Sequence, residues 1–400
     1  MKTRLVTICA AAATMAFAVD QSSCEFEMTA WKNVMPSKTS GNAVFSPAGF
    51  AITTAIMGEG LAGSARTTLM ESFGLMADFG SLGRAHVASH AEANASNRVD
   101  VSVATSLWTT RRKALGADFV NAIQRDFEAE AGYLRDAVAV NAWTEAKTDG
   151  RIANVLPEVP KKVDTLVINA VAFEGAWDRP FNDGLTRKSS FTRSDGSKTS
   201  LPLMRKECEM LQINRSSFRV CQVNFAASGY HFILILPEKG ATLAELREKH
   251  VTAKTMDGIK AILRSREGDG VSMGVAEFAL PTFEVRSEWR LDSALRVAKV
   301  PRSGFGRIGN GSFVIDDVRQ TVYFKVSEAG YSLTPGLLPD QPQKSLSGSR
   351  SELSSTSEDL DESSTRPKLG TPVICDRPFL FFVWDMKTDT FVIAGQFTGV

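Results

Sequence analysis

Net charge is what this sequence has least of: 46 Lys and Arg stand against 45 Asp and Glu, a formal +1. A chain so balanced offers no field to draw in nucleic acid or an anionic membrane surface. Its only basic clusters, Arg111-Arg112-Lys113 and Lys161-Lys162, are short enough to be ordinary solvated surface. Histidine is scarce too, with four in 400 residues and no His-Glu-x-x-His pattern. His86 and His90 sit four apart, a spacing that could hold a metal on a helix, but a polar helix face turned to solvent is the simpler reading. No metal or other cofactor is expected. Past the first 18 residues no apolar run approaches the roughly 20 residues that span a bilayer, so no membrane span is expected either.

Those first residues are themselves informative. Lys2 and Arg4 precede an apolar stretch from Leu5 to Phe17, which ends in Ala16-Phe17-Ala18. This pattern, over 1–18, reads as a secretory signal peptide with a small-x-small cleavage site. The mature chain is then secreted and extracellular. Export would leave Cys24, Cys208, Cys221 and Cys375, an even number allowing three pairings, of which Cys208 with Cys221 is the first to test. Three sequons, at Asn94, Asn214 and Asn310, offer glycosylation sites.

The motifs of enzymes are thin. Gly58-Glu-Gly60-Leu-Ala-Gly63, with Asp78 beyond it, and Gly304-Phe-Gly306-Arg-Ile-Gly309 match a dinucleotide fingerprint, but no parallel βαβ repeat follows, and turn glycines account for both. Gly270-Val-Ser272-Met-Gly274 matches the nucleophile elbow, yet a Gly-rich turn precedes it and a strand follows, the reverse of what an elbow needs. The chain does not read as an enzyme.

What is present is a mixed fold. Ser46 can cap a helix that begins with Pro47 and runs apolar through Ile56, so that helix should be buried on all sides. The pattern predicts further helices over 67–73, 117–130, 138–147, 243–249, 256–264 and 288–299. It predicts strands over 101–108, 165–173, 274–280 and 321–326, a hairpin over 218–225 and 230–236, and another over 378–384 and 391–394. Asn169 lies inside an otherwise apolar strand and needs partners for its amide. Helices come first and strands later without regular alternation, which favours α+β over a doubly wound sheet.

Between the strand ending at Val326 and Phe379 runs a stretch rich in Pro, Gly and Ser. Its middle, 345–365, has Leu346, Leu353 and Leu360 as its only apolar side chains. Such a segment cannot offset its ordering entropy by burial, so an exposed loop over 330–376 is expected. It presents Lys344, Arg350, Arg366 and Lys368 to any trypsin-like pocket.

Several of these stretches together resemble the serpin family. Asn42-Ala-Val-Phe-Ser46-Pro47 is similar to the opening of the family's buried second helix. Val140-Asn-Ala-Trp143 with Lys147-Thr-Asp-Gly-Arg-Ile152 is similar to its helix across the main sheet. Asn169-Ala-Val-Ala-Phe173-Glu-Gly175-Ala-Trp177-Asp-Arg-Pro180-Phe181 is similar to its most recognisable strand and turn. Val326-Ser-Glu328-Ala-Gly330 resembles the loop's proximal hinge, and Arg377-Pro378-Phe379-Leu-Phe-Phe382 the segment beyond the loop. The matches keep the family's order from about residue 26 to residue 400.

The resemblance implies a single domain of three β-sheets and about nine helices with an exposed reactive-centre loop, and a monomer. It implies an inhibitor whose loop is bait. A serine protease forms an acyl-enzyme on the loop, which then inserts into the large sheet and drags the protease with it. Ser46, Pro47 and Asn169 match the region where that sheet opens, and Arg319 stands near the family's buried histidine there. Counting fourteen residues on from Gly330 places the scissile bond at Lys344-Ser345. Counting back from Phe379 lands near Arg366-Pro367-Lys368, and Arg350-Ser351 lies between; the counts differ because the loop spans 379 − 330 = 49 positions. Any of these implies a trypsin-like extracellular target.

The hinge departs from the inhibitory pattern. Tyr331-Ser-Leu333-Thr-Pro335-Gly336 stands where small residues and alanines would slip into a sheet, and Pro335 has no N–H for a central strand. A non-inhibitory member, a protease substrate, carrier or binding protein, is therefore the alternative.

Overall fold

The computed structural model describes residues 22–35, 40–73, 78–111, 114–227, 229–311, 313–331 and 370–400. The signal-peptide stretch and the loop positions Pro335, Lys344, Ser345, Arg350, Ser351, Arg366 and Lys368 lie outside these residues. Among the described residues the chain forms nine α-helical segments, concentrated in its first half, and two hydrogen-bonded strand networks.

The smaller network is a five-stranded sheet in the order Phe283–Arg290, Asp317–Val326, Thr165–Gly175, Val99–Thr109 and Glu130–Tyr133. Thr165–Gly175 has nearly every residue buried, because both of its faces are covered. On one face Ile168, Ala170 and Ala172 meet Val140 of the helix Ala137–Lys147, with Ile152 and Leu156 beyond it. On the other, Val171 and Phe173 pack against the second network. Burial on both sides is why this strand reads as an unbroken apolar run.

The larger network has nine strands. Its 17-residue strand Lys198–Asn214 joins a part built on Arg187–Thr192 to a part built on Phe218–Asn224. One long strand thus merges into a continuous ladder what the resemblance implies as two separate sheets. The strand Phe379–Asp385, buried throughout, sits between Tyr230–Pro237 and Thr390–Phe397.

The helix Pro47–Gly60 is buried along its whole length, as its lack of a polar face requires. Ser46 caps it, accepting from Gly49 N at 2.9 Å.

Three expectations need correction. Residues 288–290 are strand, not helix: Phe283–Arg290 alternates buried and exposed positions and pairs with Asp317–Val326. Trp289 donates from Nε1 to Val44 O at 2.6 Å, and only Asp292–Val297 is helical. His86 and His90 do not face solvent; they are 2% and 9% exposed. Their helix, Phe79–Ala95, turns that face inward beside Asp385, which accepts from Ser89 Oγ at 2.6 Å. Cys208 and Cys221 are free buried thiols, as are Cys24 and Cys375. Gln212, not Cys208, stands opposite Cys221, and four residues along a strand is about 13 Å, too far for a disulfide.

Candidate functional site: the parallel seam and the base of the loop

Of the four pairings in the five-stranded sheet two are antiparallel and two are parallel: the short edge contact of Val99–Thr109 with Glu130–Tyr133, and the long central one. Asp317–Val326 and Thr165–Gly175 run in the same direction and pair from Asp317↔Leu166 to Phe324↔Phe173. The chain leaves the upper end of this seam at Val326, and the described residues continue from there to Tyr331.

Beneath the seam lies a buried polar network. Ser46 N donates to Gln320 Oε1 at 3.0 Å, and Gln320 Nε2 donates to Ser46 O at 3.0 Å and Asn169 Oδ1 at 2.9 Å. Asn169 Nδ2 donates onward to Thr105 Oγ1 at 2.9 Å and Ala104 O at 3.3 Å. The amides of Gln320 and Asn169 thus tie the helix cap to three adjacent strands, and both side chains are fully buried. Gly49 brings the helix this close: a Cβ there would come within 2.5 Å of Asn169 Oδ1.

The expected partners Ser46, Pro47 and Asn169 are therefore brought together, and Arg319 is not among them. Arg319 points the other way along its strand and pairs with Asp317 at 2.8 Å. Gln320, next in sequence, takes the buried position. Strand alternation could have found it: with Val318 and Val322 inward, Gln320 shares their face.

The base of the loop is held by specific contacts. Trp177 Nε1 donates to Ser327 O at 2.8 Å, Phe181 N donates to Glu328 O at 3.1 Å, and Thr186 Oγ1 donates to Glu328 Oε1 at 2.9 Å. Gly330 has φ +74°, and a Cβ there would collide with the Gly175 carbonyl oxygen. Only glycine fits. Tyr331 then lies over the Arg151 guanidinium, 5.9 Å from the ring centroid. Burial opposes the charge of Arg151, but Glu174 at 2.9 Å and Asp100 at 2.6 Å hold its pKa above the usual arginine value. Burial, and the charge of Asp100, raise the Tyr331 hydroxyl above its ordinary range.

Lys206 completes the region and had no sequence signal beyond a lysine interrupting the apolar face of Met204, Cys208 and Met210. It is 7% exposed, donates to Arg179 O at 2.7 Å, and lies over the rings of Trp177 and Phe181. Burial lowers its pKa to about 8.

Ser272 is an exposed residue of the strand Val271–Pro281, with Asn214 Nδ2 donating to its Oγ at 3.4 Å. Among the described residues no cluster of His, Cys, Asp or Glu could hold a metal, and no helix is long and apolar enough to cross a membrane. Asn94, Asn214 and Asn310 are all exposed.

A family model described as "Serpin (serine protease inhibitor)" matches residues 21–399. Plasminogen activator inhibitor 1 of Neovison vison is 25% identical over 397 residues, 93% of this chain and 90% of that protein. Serpin B3 of Homo sapiens is 21% identical over 317 residues, 75% of this chain and 74% of that protein. Native protease nexin-1 with heparin has a similar fold at TM-score 0.75 and 18% identity, covering 95% of this chain and 98% of that one. Thyroxine-binding globulin complexed with thyroxine does so at TM-score 0.72 and 15% identity, covering 94% and 97%.

Proposed function

Because this chain belongs to the serpin family, we propose that it is a secreted suicide-substrate inhibitor of trypsin-like serine proteases, with the loop after Gly330 as bait. The observation that carries this reading is the parallel seam. A segment leaving the top of Asp317–Val326 and folding back runs antiparallel to that strand, and so to Thr165–Gly175 as well. Inserting it replaces one parallel pairing by two antiparallel ones and lengthens the backbone ladder on both sides, which drives the change downhill. Cleavage of the loop supplies the slack, and the native fold is a kinetic trap until then.

In this reading Lys344, Arg350, Arg366 and Lys368 are the candidate specificity residues, with Lys344-Ser345 favoured by the count from the hinge; a proline after Arg366 disfavours cleavage there. The target is extracellular, the inhibitor acts as a monomer, and Asn94, Asn214 and Asn310 are open to glycans.

A second reading is supported by Tyr331. Its ring is bulky where the family's inhibitors carry small side chains, and it is engaged by Arg151 and Asp100 outside the seam. With Pro335 following, the loop would be cut without trapping, making the chain a substrate, carrier or binding protein. Incubation with trypsin separates the two. Inhibition gives a covalent complex that survives detergent on a denaturing gel; a nicked chain without complex, and with no rise in melting temperature, ends the inhibitory reading.

A further inference from the structure

Among the described residues one arginine is buried, and no carboxylate among them answers it. Arg247 is 3% exposed, in a π-helical turn over Leu246–His250. It donates from Nη1 to Gln396 Oε1 and from Nη2 to Met35 O, and it stacks 4.7 Å from the centroid of the Trp31 ring. Its Nε has no hydrogen-bond partner among the described residues. No acidic group among them lies within ion-pair distance either. Burial alone acts on it, lowering its pKa to about 10. Lys260, 1% exposed, is by contrast answered by Glu27 at 3.7 Å and Asp389 at 3.4 Å.

Arg247 lines a cleft of about 810 Å³ at the end of the larger sheet, together with Arg193, Lys239, Leu243, Arg377 and Pro378. The volume is within the range of small-molecule sites. The two acidic side chains at the rim are already engaged. Asp376 pairs with Arg377 at 2.7 Å, and Asp195 accepts from Ser197 N at 2.9 Å. Lys239 is exposed at the mouth and forms no ion pair among the described residues. The cleft shares no residue with the seam or with the contacts that hold Ser327 to Tyr331.

We propose that this cleft binds an organic anion, its acidic headgroup on Arg247 and its apolar body against Leu243, Pro237 and Pro378. A guanidinium already stripped of water and held in place by Trp31 and Gln396 gives an arriving carboxylate or sulfonate a strong charge-assisted bond at small ordering cost. Lys239 adds attraction at the entrance.

Calorimetric titration tests it with dodecanoate, its uncharged counterpart dodecanol, the aromatic sulfonate 8-anilinonaphthalene-1-sulfonate, and inorganic phosphate alone. The expected result is one site per chain for dodecanoate or the aromatic sulfonate, with whichever binds showing an aliphatic or an aromatic preference. Dodecanol and phosphate bind at least tenfold more weakly. Arg247→Gln weakens the anion at least tenfold. Ala244→Trp, an exposed cleft residue, blocks binding while leaving the melting temperature unchanged, which covers the case in which Arg247→Gln fails to fold. Equal binding of dodecanol, or undiminished anion binding by the folded Ala244→Trp chain, overturns the proposal, as does no binding by either organic anion.

Discussion

The bond between Gln320 and Asn169 crosses the seam, and it gives a quantitative handle on whether the seam opens. Gln320→Met keeps the length of the side chain and removes three buried hydrogen bonds, two to Ser46 and one to Asn169. At about 1 kcal/mol net for each, the uncleaved chain loses about 3 kcal/mol. Asn169→Leu removes the same cross-seam bond from the other side, together with the bonds to Thr105 and Ala104. In a double-mutant cycle the shared bond appears as a coupling of about 1 kcal/mol. A strand inserted at the seam would move Gln320 and Asn169 from about 4.8 Å strand spacing to about twice that, beyond reach of each other. The cycle, run by guanidinium unfolding on intact and on trypsin-cleaved protein, should therefore give coupling in the first and a value near zero in the second. Equal coupling in both forms would refute the reasoning, because the two strands would still be neighbours after cleavage. Absence of coupling in the intact chain would refute it equally.

Gly330→Ala forces a side chain into a left-handed backbone and against the Gly175 carbonyl, costing at least about 1–2 kcal/mol in the intact chain. An extended, inserted segment has no such strain, so the melting temperature of intact protein should fall while that of cleaved protein holds; equal falls would contradict this. Pro335→Ala restores an N–H to the inserting segment and should raise the fraction of trypsin trapped as covalent complex by up to about tenfold, the worth of roughly one ladder bond; an unchanged fraction would show that the hinge proline is not the obstacle. Acid should destabilise the fold. His86, His90 and His231 are all held neutral by burial, their pKa values lowered, His231 to about 4. Their stability is present above the unfolded value of about 6.5 and is lost as pH falls below it, up to about 2 kcal/mol for His231 at pH 5. Glu27, raised to about 7 by burial, works in the opposite sense by a similar amount, so three groups act against one. A melting temperature at pH 5 equal to or above that at pH 7 would contradict this balance.

The parts of the fold legible in the sequence were those with a single dominant pattern. Ser46-Pro47 before an unbroken apolar run located the buried helix, and the run from Thr165 located the central strand, because both are covered on every side. Glu288 to Arg290 were misread because charged residues alternating with Ser and Trp fit an edge strand as well as a helix start, and only pairing with Asp317–Val326 decides. The histidine face of Phe79–Ala95 was misread because what covers it is distant in sequence: Ser89 on that face bonds Asp385, nearly 300 positions away, and both histidines are buried beside it. The site was half legible. Motif resemblance gave Ser46, Asn169 and Gly330, but a shift of one residue separates Arg319 from Gln320, and in a strand one residue exchanges the buried face for the exposed one. Arg247 carried no signal at all, since an arginine in a short helix of charged residues gives no hint that it is buried without a carboxylate.

The most direct test of the account is a crystal structure of the chain after cleavage in the loop. The account predicts that the segment from Tyr331 onward lies between Asp317–Val326 and Thr165–Gly175, antiparallel to both, with those strands about 10 Å apart. A cleaved chain in which Gln320 still donates to Asn169 and Tyr331 still rests on Arg151 would contradict it.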